Sequence, residues 1–316
     1  MCLRHLTVKL APGAVIAALV LLAPLAGAQE RTQTRPRVGP HTFVPLTLST
    51  DPFVSTAFQL SLGYSSSVWT RILRYPARLD SVEVDASVLY MRGGLGFQYA
   101  PVEWACLRGE FNGLTRFGSD AVSILQRGIS ASSGTRLGWL FRLAETDRSY
   151  VSTYAGLFNS SVTSIDMRRA VADSSAAGVP DSLVANSNPL GGVVALSYAR
   201  AFDSFVGAVG WAEFSYGDAI VPGEASNGAM KILLSLDLGA RWGIPIGIGA
   251  QYGFTTAPVT LEDPDGLAHG FELRASYTGR PDFSLTVSTG VQIVPLSEPE
   301  PTFYYHETQA TLNYYF

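Results

Sequence analysis

The sequence predicts an all-β fold, a transmembrane antiparallel up-and-down β-barrel of about twelve strands. Three observations predict it. Apolar residues alternate with polar or small ones at period two through most of the chain. The connections alternate between tight turns and long polar loops. Aromatic residues gather at the short-turn ends.

The chain opens with the basic residues Arg4 and Lys9, an apolar run "AVIAALVLLAPLAG", and "AGA" at 26–28 before Gln29. Charged, apolar, then small-x-small is the order of a cleaved signal peptide, assigned here to 1–28. Cys2 lies before the apolar run, so a mature chain starting near Gln29 keeps one cysteine, Cys106, and no internal disulfide. Residues 29–52 are polar and proline-bearing and read as a periplasmic lead-in, with a short extended piece at 42–48. The barrel is assigned to 53–316.

Composition agrees with export to a membrane without helical spans. Hydrophobic residues make up 47% and charged ones 15%, against about 25% charged in average soluble domains. Past the signal peptide no apolar stretch is long enough for a membrane helix. Removing Arg4 and Lys9 takes the formal net charge from −4 to −6, which excludes a nucleic-acid binder on charge. Lys231 is the one lysine left.

The clearest strand is 230–242. Met230, Ile232, Leu234, Leu236, Leu238, Ala240 and Trp242 share one face, with Lys231, Ser235, Asp237 and Arg241 on the other. A helix cannot separate those sets, and a strand does. The same reading yields strands at 54–66, 87–99, 104–115, 133–143, 149–160, 190–201, 204–216, 229–242, 246–256, 268–278, 283–294 and 303–316. In 149–160, 190–201 and 204–216 small residues occupy both faces, so their outward face is unassigned. The phase changes near Tyr90, so 82–89 projects beyond the layer.

"APVE", "AETDR", "FD", "GIP" and "GRPD" are tight turns. Long loops fall near 67–86, 116–132, 161–189, 217–228, 257–267 and 295–302. Short turns at one end, long loops at the other and an even strand count describe a bacterial membrane barrel. Phe97, Tyr99, Trp104, Phe141, Tyr150, Tyr198, Phe205, Trp242, Tyr277, Phe283, Tyr314 and Phe316 ring the short-turn end. Rings favour the membrane boundary, where one edge is apolar and the other meets water.

The ending "TQATLNYYF" alternates apolar residues back from Phe316. It resembles the C-terminal signature of bacterial outer-membrane β-barrels. The resemblance implies that Leu312, Tyr314 and Phe316 form the strand read by the barrel-assembly machinery, and that the protein sits in outer-membrane lipid. It singles out no family among porins, solute transporters and barrel enzymes.

If the apolar face meets lipid, parity sends Arg92, Arg108, Glu110, Arg136, Arg142, Lys231, Asp237, Arg241, Glu272, Arg274 and Glu307 into the lumen. Seven are basic and four acidic, so a net-basic lumen is expected. Arg92, Glu110 and Arg136 fall at similar heights on three consecutive strands. Asp237, Glu272 and Arg274 face them. Facing charges resemble a porin constriction, where rings of charge choose solutes by sign. Arg92–Glu110–Arg136 also reads as a paired cluster that fills space. Twelve strands lie between barrels filled by side chains and barrels with an aqueous channel. Inward Gly94, Gly96, Gly247, Gly249, Gly253 and Gly290 argue for room.

The expected function is passive or facilitated passage of small polar solutes. The alternatives are a non-conducting structural or surface-interaction barrel, then a barrel hydrolase. His41 precedes the barrel, and His269 and His306 point to the lipid side by parity, so no catalytic histidine is assigned. "LEDPDG" at 261–266 reads as turn chemistry rather than a calcium loop. No metal or cofactor motif appears. Cys106 reads as a packing residue.

Overall fold

A computed structural model describes residues 36–74, 81–118, 129–165, 184–187, 190–218, 224–256, 267–294 and 303–316. Twelve strands form the wall. They are β1 Ala57–Arg74, β2 Ser81–Val102, β3 Ala105–Gly118, β4 Ile129–Glu145, β5 Ser149–Ile165 and β6 Leu190–Ala201. Then come β7 Val206–Asp218, β8 Glu224–Asp237, β9 Ile246–Thr255, β10 Ala268–Tyr277, β11 Phe283–Val294 and β12 Phe303–Tyr315. Each pairs antiparallel with its sequence neighbours, and β12 pairs with β1 from Tyr315↔Ala57 to His306↔Ser66, closing the barrel. A four-residue strand, Val184–Ser187, extends the ladder on the outer part of β5.

The alternation works as a wall with two solvents. On the outside Leu62, Leu157 and Leu273 each expose more than 60% of their surface. On the inside Ser65, Ser152, Ser197, Ser235 and Ser284 are buried. A water-soluble surface does not carry so continuous an apolar face, and a lipid-facing wall requires one. At the short-turn end Tyr99, Trp104, Tyr198, Trp242, Tyr277, Tyr314 and Phe316 are exposed. Trp104 stacks on Phe141 at 6.2 Å, and Tyr314 meets Phe316 edge-on at 4.7 Å.

Several expectations about the wall change. Residues 67–86 do not form a long loop throughout: β1 and β2 stay paired from Ala57↔Gln98 to Arg74↔Ser81, a hairpin longer than the rest of the wall. Tyr150 does not join the aromatic ring. It is buried, and its hydroxyl accepts from the Val54 amide at 3.0 Å. The strand expected over 229–242 stops at Asp237. The Asp237 carboxylate accepts from the Gly239 amide at 3.0 Å and starts a helical turn, Leu238–Trp242, which Gly243 ends at φ 69°. An aspartate cap and a left-handed glycine are ordinary helix punctuation.

The largest difference lies inside. Over its described residues, the segment expected to precede the barrel folds into it. Arg37–Val38 and His41–Thr42 form a small hairpin, and Leu48–Thr50 a helical turn. His41, Phe43, Val44, Leu46, Leu48 and Phe53 are all buried. Phe43, Leu46 and Phe53 form one apolar cluster with the inward Tyr150, Ala199, Val209 and Leu233. Each such side chain stabilises the docked segment by roughly 1.5–3 kcal/mol. The segment is a plug at the short-turn end of the lumen.

Candidate functional site: a charged chamber above a plug

The wall fits the plug residue by residue. Val44 and Leu48 donate backbone amides to Ser235 Oγ at 3.0 Å and Gln59 Oε1 at 3.1 Å. Gln59 Nε2 donates to the Leu46 carbonyl at 3.0 Å and to Asn313 Oδ1 at 2.6 Å. Arg274 Nη1 donates to the Pro45 carbonyl at 3.1 Å, and Arg108 Nη2 to the Asp51 carbonyl at 2.5 Å. His41 donates from Nδ1 to the Ser204 carbonyl and accepts at Nε2 from Ser235, both at 3.2 Å, which fits a neutral ring. Inward glycines make space. A Cβ on Gly96 would meet Leu48, one on Gly207 would meet His41, and one on Gly247 would lie 2.8 Å from Val44.

Two ionisable plug groups are shifted by this enclosure. Burial lowers His41 below its ordinary 6.5, opposed by the Ser204 carbonyl and the Asp237 and Asp203 carboxylates. Burial raises Asp51 to about 6, opposed by the Arg108 guanidinium and the Phe53 amide.

Above the plug is a cavity of about 420 Å³, within the range of small-molecule sites. Thr47 and Ser49 of the plug lie on its boundary. Its walls carry Arg92, Arg136, Lys231 and Arg274 with Glu110, Glu213, Glu272 and Glu307. Four bases face four acids, so the chamber is charge-balanced and the expected basic excess is not there. Two causes account for this. Glu213, on a strand whose faces the pattern left open, points inward. Three of the expected bases lie elsewhere.

Arg108 is buried against the plug, its guanidinium 5.5 Å from the Tyr154 ring. Arg142 sits beside the register shift at the end of β4 and pairs with Glu145 at the rim. Arg241 rides the helical turn and lies against Phe205 and Trp242 at 5.1 and 5.5 Å, outside the lumen. Asp237, the helix cap, is buried away from the chamber. Sequence spacing assumed an unbroken strand through Arg241, and the Asp237–Gly243 punctuation was the signal against it.

The chamber's pairs differ from the expected Arg92–Glu110–Arg136 cluster. Arg92 Nη1 donates to Glu307 Oε1 at 2.9 Å, two strands away. Arg136 holds Glu213 with two bonds, 2.6 and 3.0 Å, spanning from β4 to β7. Arg274 Nη2 donates to Glu272 at 2.9 Å and Gln251 at 3.0 Å. Arg136 thus reaches past Glu110, its cross-strand neighbour, to a carboxylate three strands away.

The remaining candidates lie outside the chamber. His269 is on the outer wall, with Tyr252 OH 2.9 Å from its Nδ1. His306 also faces outward on β12. Cys106 is buried against Leu140 and Tyr154. Among the described residues no cluster of His, Cys, Asp or Glu could hold a metal ion. Residues 261–266 and most of 161–189 lie outside the described residues.

A closed antiparallel barrel of twelve strands, apolar outside and charged within, is a β-barrel of the bacterial outer-membrane kind. The chain is similar to several solved structures at low sequence identity. The translocator domain of the autotransporter NalP from Neisseria meningitidis is 10% identical, with 96% of each chain covered and a TM-score of 0.47. A FadL homologue from Pseudomonas aeruginosa is 10% identical, with 90% of this chain and 97% of that one covered and a TM-score of 0.45. The NanC porin is 8% identical, with 82% and 100% covered and a TM-score of 0.47. Neither a protein-family model nor a curated relative matches the sequence.

Proposed function

We propose that this chain is an outer-membrane channel for small polar solutes, shut at its periplasmic end by its own N-terminal segment. The signal peptide at 1–28 directs its export, and β12 with Leu312, Tyr314 and Phe316 outward serves the barrel-assembly machinery. The observation that carries the reading is the division of the lumen. A polar chamber of about 420 Å³ stands directly on a plug that is separate from the wall and held by replaceable contacts. Solute enters the chamber from the long-loop side and leaves when the plug yields.

The same plug favours a second reading, a non-conducting barrel in which residues 36–56 are permanent filling. Planar-bilayer recordings separate the two. The mature chain from Gln29 is compared with a Phe43→Asp/Leu46→Asp variant. A channel gives rare openings in the first and frequent steps in the second. No steps from either, with both folded, would leave the non-conducting barrel.

A further inference from the structure

Two charges in the chamber are left over. Glu110 stands opposite Arg136 in the β3–β4 register, but the arginine's two-pronged bond goes to Glu213. Arg108, two residues back on the same face, is drawn down to the Asp51 carbonyl. Glu110 Oε1 is therefore buried with no hydrogen-bond partner. Lys231 makes no hydrogen bond among the described residues. Its ammonium lies over the Trp211 ring, 5.4 Å from the centroid. The residue beside it on β9 is Gly253, where a Cβ would come within 2.8 Å of the Lys231 stem. A larger residue there would crowd the lysine.

We propose that Glu110 and Lys231 form a binding site for a small zwitterion, an ammonium carboxylate of amino-acid type. The inference rests on the channel reading and names its solute class. A buried carboxylate oxygen with no hydrogen-bond partner is costly, and the Lys231 ammonium likewise makes no hydrogen bond among the described residues, lying instead over the Trp211 ring. A zwitterion supplies a cation to the first and an anion to the second and adds no net charge to a balanced chamber. A simple anion would satisfy Lys231 alone, and a simple cation Glu110 alone. The other six charges, paired as arginine–glutamate, fix the walls without competing for it.

The test is calorimetric titration of the mature protein in detergent micelles with alanine, propionate and propylamine, three probes of similar size. Alanine should bind about tenfold more tightly than either half-probe, since it makes both charge-assisted contacts and each half-probe makes only one. Glu110→Gln should bring alanine down to propionate, and Lys231→Met should bring it down to propylamine. Heat-modifiable gel mobility checks that each variant is folded. Equal binding of the three probes, or an alanine preference that survives both substitutions, overturns the proposal. Titration needs no current, so it can fail in a barrel that conducts and succeed in one that does not.

Discussion

The two halves of the lumen solve the same problem in different ways. Below, side chains and backbone groups of the plug meet serine, glutamine and glycine on the wall, and Arg108 and Arg274 donate to plug carbonyls. Above, arginines and glutamates reach across open space to one another. The plugged half gains from burial, and its shape must match to within a methyl group, as Gly96, Gly207 and Gly247 show. The chamber half tolerates water, and its geometry is set by charge. Close packing resists flow, and a hydrated field sorts it. On the proposed channel reading, closure belongs to one half and choice to the other.

The strongest way to break this division is to make the plug intolerable to its site. Phe43→Asp with Leu46→Asp puts carboxylates where no partner waits, a cost of several kcal/mol. Open probability in bilayer recordings should rise at least about tenfold, a ratio that about 1.4 kcal/mol supplies. Next comes the chamber. Arg136→Glu removes the base from Glu213 and leaves three carboxylates together, so reversal potentials should move several-fold toward cation selectivity. Arg92→Glu should do the same by less, because its side chain is 39% exposed and already shared with solvent. An unchanged reversal potential would show that these arginines do not line the path.

Smaller effects test the fit. Gly207→Ala and Gly247→Ala each push a methyl into His41 or Val44 and should raise open probability about two- to threefold, in line with the roughly 1–3 kcal/mol of overpacking partly relieved by plug movement. The pH response has two opposed parts. With His41 below its ordinary 6.5, the docked plug holds fewer protons than the released one, so docking weakens as pH falls below 6.5. Asp51, raised to about 6 from 3.8, takes up a proton in the docked state first, so docking strengthens as pH falls through that window. His41→Asn should therefore leave a channel that closes on acidification, and Asp51→Asn one that opens. The mildest change is on the outer wall. His269→Ala removes one exposed hydrogen bond to Tyr252, costs about 1 kcal/mol or less in unfolding stability, and should leave conductance alone.

The wall was legible because it has two solvents and a period of two. Leu62, Leu273 and Leu312 could not be anywhere but outside. The plug was not legible for the opposite reason. Residues 29–52 carry prolines and polar side chains and read as a linker. Their apolar members, Phe43, Val44, Leu46 and Leu48, form a run too short to cross a membrane, and they pack against the barrel interior instead. That cluster within an otherwise polar segment was the available signal. Glu213 was missed because β7 has small residues on both faces, and only Trp211 and Val209 on its own parity mark the inner one. Spacing located Arg92 and Arg136 on the inner wall, yet their partners lie across strands no linear distance reveals.

Both ends of the plug sit at one rim. It enters where Gly39 packs against the Asp147 backbone in the β4–β5 turn, and it returns where the Thr56 carbonyl accepts from the Phe316 amide at the β12–β1 seam. Tension on the chain ahead of Arg37, directed away from the barrel, would load His41 and Phe43 first and Phe53 last. The two-residue ladder of Arg37–Val38 with His41–Thr42 is the one β pairing in that line of force. None of the twelve wall ladders bears it. The segment can be drawn out like a stopper on a cord while the vessel keeps its shape.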